Sequence, residues 1–194
     1  MHPAAGSEIL FLKLWGAAPT NCSNHYNVLH ASWLDTKLGP MIAIADETDL
    51  YLLEFVDRRG LEREIERLRF KKKAVIIQGI TDPITSIKQE LWSYFDGTLT
   101  EFKTPVHLLG SPFQKLVWEE LIRIPYGITR SYAAQAKDIG KATAYRAVAN
   151  ANGANQIAIV IPCHRIMNSN GDLGGYGGGI LRKQWLIDHE KQHA

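Results

Sequence analysis

The chain has 194 residues, a formal net charge of +2 and an apolar fraction of 45%. This length suits one large domain or two small ones that share a core, and the low net charge excludes a broad basic surface, so any contact with nucleic acid must be local. The two cysteines, Cys22 and Cys163, exclude a disulfide framework and suit a reducing, intracellular setting. No stretch is long enough to span a membrane.

Residues 1–27 mix apolar and turn-forming residues and indicate no firm element. The apolar run at residues 9–15 faintly resembles a signal peptide, but a lysine interrupts it, so we interpret it as a leader or docking segment. Cys22, His25 and His30 are irregularly spaced and lack a fourth ligand. They therefore do not predict a metal site.

From residue 28 the pattern is that of short strands. Apolar runs at residues 28–34, 40–45 and 50–55 are separated by turn-forming residues, which predicts an antiparallel meander. Residues 61–70 carry apolar side chains at helical spacing and predict a helix. Residues 74–78 form either a fourth strand or a connector.

Two helices with the same start signal are predicted in the middle of the chain. Asp82 followed by Pro83 predicts an N-cap and a first-turn proline, and Ser111 with Pro112 repeats the pattern. Between these helices, residues 104–109 have the apolar character of a strand.

Two further short helices are predicted at residues 131–139 and 144–152, joined by a tight turn. Ser131 is the expected cap of the first, and the second is rich in alanine, with Arg146 as its single long cation. This is the pattern of a helix-turn-helix, whose small side chains would let the backbone approach a groove. Helical hairpins of this length also occur as plain packing units, so both interpretations stay open.

The apolar run at residues 157–161 predicts a short buried strand that Pro162 ends. Cys163 and His164 would then lie at the strand's end, where side chains reach a cleft. A thiolate is the reactive form of cysteine, and a neighbouring base such as imidazole is needed to produce it at neutral pH. A buried structural cysteine is the alternative interpretation of this segment alone.

The last part of the chain predicts a glycine-rich loop and a closing helix. Residues 168–179 form the loop, which ends in glycines around Tyr176 and lacks the Lys-Ser/Thr ending of a phosphate loop. The helix follows, with Leu181 and Leu186 expected to face inward. Glu190 lies at its C-terminal end, where a carboxylate is unfavourable, so a functional partner would explain its position.

These motifs resemble the O6-alkylguanine-DNA alkyltransferases. The similarity is close over residues 111–190 and looser over residues 28–110. The segments that carry it have the family's order and spacing. They are Ser131-Tyr132, Arg146-Ala147-Val148, Asn152-Gly153-Ala154-Asn155, the active-site motif Pro162-Cys163-His164-Arg165, the glycine loop around Tyr176, and Trp185-Leu186 with His189-Glu190.

The resemblance implies an α/β fold of the α+β type. Residues 28–104 would form an N-terminal ribonuclease H-like subdomain with an antiparallel sheet. Residues 105–194 would form a mostly helical C-terminal subdomain, winged-helix or helix-turn-helix-like, that binds DNA and carries the active site. Residues 1–27 would be a leader of unknown role.

The resemblance also implies a single-use DNA repair reaction. The partner would be double-stranded DNA bearing O6-alkylguanine, bound through its minor groove by a monomer, with the damaged base flipped out of the stack. Cys163 would take the alkyl group and keep it as a thioether. No metal, nucleotide or methyl-donor cofactor is implied, and the expected location is the cytoplasm at the nucleoid, or the nucleus in a eukaryote.

Roles for individual residues follow from the same resemblance. His164 would take the proton of Cys163 through a water, Glu190 would orient His164, and Tyr132 would donate a hydrogen bond or proton to the purine. Arg146 would fill the gap left by the flipped base. The remaining implied contacts are Asn155 as a hinge, Tyr176 and Gly177 in the base pocket, and Phe113, Ala133, Lys141, Ala147 and Ser169 on DNA.

Three alternatives stay open. Non-catalytic alkyltransferase-like proteins bind damaged DNA but carry another residue, often tryptophan, in place of the cysteine, and Cys163 argues against that class. A transcription regulator could use alkylation of Cys163 as its signal. A Cys-His hydrolase would have no use for the alanine-rich helix and Arg146, and an assay with an acyl substrate would distinguish it.

Overall fold

The computed structural model describes residues 26–194. The predictions for residues 1–25, which include most of the leader together with Cys22 and His25, lie outside these described residues. Within residues 26–194, no helix combines the length and apolar character needed to cross a membrane. In the same part of the chain, no group of histidine, cysteine and acidic side chains is arranged to hold a metal ion.

The N-terminal half is a sheet with helices packed on it. Its elements are β1 (Asn27–Leu34), β2 (Met41–Ala45), β3 (Leu50–Phe55), α1 (Leu61–Lys72), β4 (Ala74–Gln78) and α2 (Asp82–Phe95). The strand order is β3-β2-β1-β4. The antiparallel pairing of β1, β2 and β3 confirms the predicted meander, and β4 joins β1 in parallel, so it is a strand and not a connector.

Both faces of this sheet are buried, which explains why β2 is apolar throughout and β3 is apolar except at Glu54. Successive side chains of a strand point to opposite faces. Ile42 and Ile44 of β2 pack in a core with α1. Met41 and Ala43 pack on the other face, in a second core shared with α2 and the C-terminal half. The second core therefore joins the two halves of the molecule.

The C-terminal half is mostly helical. Its elements are α3 (Pro112–Ile122), β5 (Arg130–Ser131), α4 (Tyr132–Asp138), α5 (Tyr145–Gly153), a 3-10 helix (Cys163–Arg165), β6 (Ile166–Met167) and α6 (Ile180–Gln192). The two predicted serine caps are confirmed: Ser111 Oγ accepts from the amide of Gln114 at 3.2 Å, and Ser131 Oγ accepts from that of Ala134 at 3.0 Å. Helices α4 and α5 pack together as the predicted helix-turn-helix pair.

The chain after α5 is attached to the edge of the sheet. The amide of Leu53 in β3 donates to the carbonyl of Gln156 at 2.9 Å, and the amide of Ala158 donates to the carbonyl of Leu53 at 2.8 Å. Since this segment leads directly to Cys163, the sheet edge helps to set the position of the cysteine.

The prediction of a strand at residues 157–161 is wrong. Ile157 makes one isolated bridge to Leu53, and the chain then winds on itself, with a φ of 71° at Ile159 and a hydrogen bond from the Ile161 amide to the Ile157 carbonyl at 3.0 Å. The run is apolar because it is buried, and a short apolar run does not distinguish a strand from another buried segment. Cys163 and His164 consequently lie on the 3-10 helix and not at a strand end.

Three smaller predictions are also wrong. Residues 104–109 form no strand beyond an isolated bridge between Val106 and Leu50. The N-cap of α2 is Thr81, whose backbone is extended, and Asp82 is already the first helical residue. Leu181 is 84% exposed, because it lies on the outer side of α6, whereas Leu186 is fully buried as predicted.

The contrast within α6 yields a stability test. Leu186→Ala should lower the free energy of unfolding by about 2–5 kcal/mol, because it leaves a cavity in the core. The matched control, Leu181→Ala, should change it by less than about 0.5 kcal/mol. Urea denaturation of both variants measures the difference, and equal effects would contradict the described packing of α6.

Candidate active site

Cys163 is the first residue of the 3-10 helix and is partly buried. Its Sγ accepts a hydrogen bond from Asn155 Nδ2 at 3.3 Å. The same Nδ2 donates to the carbonyl of Ile161 at 2.8 Å, and Asn155 Oδ1 accepts from the amide of Ile157 at 3.0 Å. Asn155 follows α5 and thus fixes the turn that carries the cysteine, which agrees with a hinge between the helix and the thiol.

Glu190 is the centre of the polar network behind the cysteine. Its side chain is 1% exposed, and Oε1 accepts from His164 Nε2 and from the Tyr94 hydroxyl, both at 2.8 Å. Arg165 donates from Nε to Oε2 at 2.8 Å and from Nη2 to Oε1 at 3.0 Å. The amide of Gly127 donates to Oε2 at 3.2 Å. Glu190 therefore contacts His164, and Arg165, Tyr94 and Gly127 donate further hydrogen bonds to it.

Glu190 is ionised in this network, and His164 is neutral. Burial raises the pKa of Glu190, but the hydrogen bonds from His164 and Arg165 and the charge of Arg165 outweigh burial and bring this pKa well below its usual range. Burial lowers the pKa of His164, against the opposing effect of Glu190. A neutral ring that donates from Nε2 leaves Nδ1 as the acceptor. This Nδ1 is buried without a hydrogen-bond partner among the described residues.

The thiol of Cys163 is protonated in the unliganded protein. Burial raises its pKa to about 11, although the hydrogen bond from Asn155 opposes the rise. Lys183 also favours the thiolate through its charge, and burial in turn lowers the pKa of Lys183 to about 8. Lys183 Nζ donates to the carbonyls of Ile166 and Gly175. A base is consequently needed to activate Cys163.

Tyr132 and Tyr176 are close enough for the charge of Cys163 to act on them. The pKa of Tyr132 is raised by burial and by Cys163, and that of Tyr176 is raised well above its usual value by the same two effects. The Tyr176 hydroxyl is buried and has no hydrogen-bond partner among residues 26–194. Its ring lies edge-on to that of His164, with 6.4 Å between the centroids.

A small cleft of about 10 Å³, with room for about one water molecule, lies at Cys163. Tyr176 and Gly177, both predicted to form the base pocket, line it. The full lining consists of Glu54, Arg58, Asn152, Gly153, Asn155, Ala158, Cys163, Tyr176, Gly177 and Gly178.

Sequence reasoning misses three charged residues near the thiol. Glu54 is a carboxylate within the otherwise apolar sequence of β3, and Lys183 is a lysine three residues before the buried Leu186 on α6. A charge at a core position is the signal that would have revealed both. Arg58 follows β3 in a charged turn and gives no such signal.

The residues predicted to contact DNA lie at the surface. Arg146 is in the first turn of α5, and its guanidinium is 5.9 Å from the ring centroid of Tyr145. Phe113 is half-buried at the start of α3. The other predicted contacts are exposed, namely Ala133, Lys141, Ala147 and Ser169.

Two family models together match most of the chain. Residues 29–108 match the ribonuclease-like domain of 6-O-methylguanine DNA methyltransferase, and residues 112–192 match its DNA binding domain. The chain belongs to this methyltransferase family. The resemblance drawn from the sequence motifs and the α+β fold class are thereby confirmed.

Individual relatives agree with the family models. The methylated-DNA–protein-cysteine methyltransferase of Mycobacterium tuberculosis is 39% identical over 167 residues, which is 86% of this chain and 95% of the relative. Its counterpart in Salmonella typhimurium is 38% identical over 157 residues, which is 80% of this chain and 91% of the relative.

Solved structures show the same fold. The crystal structure of M. tuberculosis OGT in complex with DNA has a TM-score of 0.73 and 38% identity, and the match covers 85% of this chain and 94% of that one. The O6-methylguanine-DNA methyltransferase of Pyrococcus kodakaraensis has a TM-score of 0.61 and 26% identity, over 84% and 98% of the two chains.

The network around Glu190 yields a pH-dependent stability test. Because its pKa is depressed in the folded protein, Glu190 contributes stability above the unfolded-state pKa of about 4.3, and this contribution is lost as the pH falls further. Glu190→Gln should therefore cost about 3–5 kcal/mol at neutral pH, because Arg165 is left buried without a counter-charge. The difference from wild type should shrink as the pH falls below about 4.

Urea denaturation at a series of pH values measures this effect. Glu119→Gln, at an exposed position of α3, is the matched control and should follow the wild type throughout. A Glu190→Gln variant as stable as the control at neutral pH would show that Glu190 does not hold the site together.

Proposed function

We propose that this chain repairs DNA by moving an alkyl group, in the first place methyl, from O6 of an alkylated guanine to Sγ of Cys163. The observation that carries the proposal is the arrangement of a thiol next to a neutral imidazole whose Nε2–H is held by a buried carboxylate. In this arrangement, a histidine that is oriented by an acidic residue activates a cysteine as the nucleophile. The names of the relatives, and the DNA bound in one relative's structure, support it.

The first step is deprotonation of the thiol. His164 Nδ1 takes the proton of Cys163 through a bridging water, and Glu190 balances the positive charge that then forms on the ring. The unpartnered His164 Nδ1 and Tyr176 hydroxyl near the thiol are polar groups that such a water would satisfy.

The second step is displacement at the alkyl carbon. The sulfur lone pair of Cys163 forms the new C–S bond as the bond from that carbon to guanine O6 breaks, and the electron pair passes into the purine. Tyr132 donates a proton to the purine ring, so that neutral guanine leaves, and the proton that His164 took from the thiol returns to Tyr132 through water. The resulting thioether has no good leaving group, and each chain acts once. The damaged base itself supplies the alkyl group.

Duplex DNA is the proposed partner, bound through its minor groove with the damaged base flipped into the cleft. Arg146, exposed at the start of α5, fills the gap in the stack, and Asn155 links α5 to Cys163. Phe113, Ala133, Lys141, Ala147 and Ser169 are the further proposed contacts. One chain carries the complete set of groups, which supports action as a monomer, at the nucleoid in the cytoplasm or in a nucleus.

Intact-protein mass spectrometry tests the transfer. In a Cys22→Ser background, incubation with a duplex containing O6-methylguanine should add the mass of one methylene group, once per chain. Cys163→Ser in the same background should gain nothing. Tight binding to the damaged duplex without any gain in mass would contradict the proposal and favour a non-catalytic damage-binding protein.

Arg146→Ala tests the proposed flipping role. Loss of the residue that fills the stack should slow transfer from duplex DNA by about 10²-fold, corresponding to a flipping cost of a few kcal/mol. Transfer from a single-stranded oligonucleotide, in which no pair must be opened, should change much less. Arg67→Ala, at an exposed position of α1, is the control. Equal losses on both substrates would contradict a role in flipping.

A further inference from the structure

An ion pair from the N-terminal sheet domain lines the cleft of Cys163. Glu54, in β3, is 3% exposed, and Arg58, in the turn after β3, has a side chain that is 8% exposed. Arg58 Nη1 lies 3.0 Å from Glu54 Oε2. Arg58 Nη1 is buried and makes no hydrogen bond among the described residues, so its contact with Glu54 Oε2 is an ion pair without hydrogen-bond geometry.

The guanidinium of Arg58 also contacts three segments outside β3. Its Nη2 donates to the carbonyl of Gly153, the last residue of α5, at 2.9 Å. The same Nη2 lies 3.9 Å from Glu64 of α1. On a further side lies the glycine loop, so close that a Cβ added at Gly177 would be 2.9 Å from Arg58 Nε.

These contacts join both walls of the cleft to the sheet. A cation at the C-terminal end of a helix interacts favourably with its free carbonyls, so Arg58 holds the end of α5. The same helix carries Arg146 in its first turn and leads into Asn155, which bonds the thiol. Gly177 belongs to the opposite wall. The rigid, forked guanidinium is thus hydrogen-bonded to the end of α5 and lies close to the loop at Gly177 on the opposite wall.

The charge of Glu54 keeps this arginine in place. A buried cation is costly unless a counter-charge compensates it, and Glu54 supplies that counter-charge. Burial raises the pKa of Glu54 to about 7, against the opposing effect of Arg58. The pair lies near enough to Cys163 for both charges to act on the thiol, Glu54 disfavouring the thiolate and Arg58 favouring it.

We propose that Arg58 is a positioning residue for alkyl transfer, which fixes the end of α5 and the loop at Gly177 in the geometry that receives the damaged base. This inference rests on the proposed function. The sheet domain then takes part in the reaction, since it supplies the group that holds the cleft in shape. Arg58 contacts neither the thiol nor the imidazole directly, and the charge that it places near the thiol is opposed by that of Glu54, so its proposed role is in the geometry of the cleft.

The test compares Arg58→Met and Arg58→Lys with Arg59→Met, an exposed neighbouring position, all in the Cys22→Ser background. Three quantities are measured for each protein: the affinity for an O6-methylguanine duplex, the rate of methyl transfer at saturating protein, and the rate at which iodoacetamide alkylates Cys163 without DNA. The melting temperature reports folding. Iodoacetamide is small and needs no pocket, so it isolates the reactivity of the thiol.

Arg58→Met should slow saturated transfer at least about tenfold, because small misplacements of reacting groups have effects of this size or larger. Duplex affinity should change less than about threefold, since Gly153 lies at the opposite end of α5 from Arg146. Iodoacetamide reactivity should fall less than transfer does, because the thiol loses the favourable charge of Arg58 but keeps Asn155 and Lys183. Arg58→Lys should be intermediate, because a lysine restores the charge without the fork. Arg59→Met should match the wild type.

A saturated transfer rate for Arg58→Met equal to that of Arg59→Met would overturn the inference. It would also be overturned if iodoacetamide reactivity or duplex affinity fell as much as transfer. If Arg58→Met does not fold, Arg58→Lys provides the test. A slower rate of methyl transfer at saturating protein, with unchanged duplex affinity, would support the inference. A transfer rate equal to that of the wild type would overturn it. Absence of transfer in the wild type itself would instead remove the proposed function.

The double variant Glu54→Gln with Arg58→Met controls for the carboxyl group that the single variant leaves unpaired. Glutamine keeps an acceptor for the Phe55 amide, which donates to Glu54 at 3.0 Å, but carries no charge. If methyl transfer stays slow in the double variant, the lower rate is caused by the missing guanidinium. Recovery to the wild-type rate would show that the unpaired carboxyl caused the loss, and would overturn the inference.

Discussion

The buried carboxylate of Glu190 is the interaction on which the rest of the active site depends. A charge in the protein interior is tolerated only when donors compensate it, and Glu190 receives them from four residues in three parts of the chain. Tyr94 comes from α2, Gly127 from the turn after α3, and His164 and Arg165 from the 3-10 helix. Satisfying one carboxylate thus brings the sheet domain's last helix, the closing helix and the reactive segment together.

The geometry on the other side of the thiol has a separate origin. Asn155 holds the turn before Cys163 through its amide group, and β3 holds the same segment through backbone hydrogen bonds at Leu53. Arg58 adds a contact from the sheet domain to the end of α5. The reactive cysteine is therefore fixed between a polar network behind it and a clamped loop beside it, which suits a reaction that depends on orientation.

Local signals in the sequence were sufficient for most elements, and the family resemblance was sufficient for the contact between His164 and Glu190. The caps at Ser111 and Ser131 and the spacing of the strands predict what is observed, because these features depend on neighbouring residues. Residues 157–161 were mispredicted because burial alone makes a segment apolar. Arg58 gave no local signal, since its partners Gly153 and Gly177 are distant in sequence and only the tertiary fold brings them to it.

Burial keeps the His164 ring neutral, and Glu190 fixes its one proton on Nε2, which leaves Nδ1 to accept the proton of Cys163. Nitrogen-15 NMR of histidine-labelled protein measures this directly, with the His164 signals assigned by their loss in His164→Gln. We expect a protonated Nε2 and an unprotonated Nδ1 at neutral pH in wild type. A proton on Nδ1, whether in the other tautomer or in a doubly protonated ring, would contradict the account.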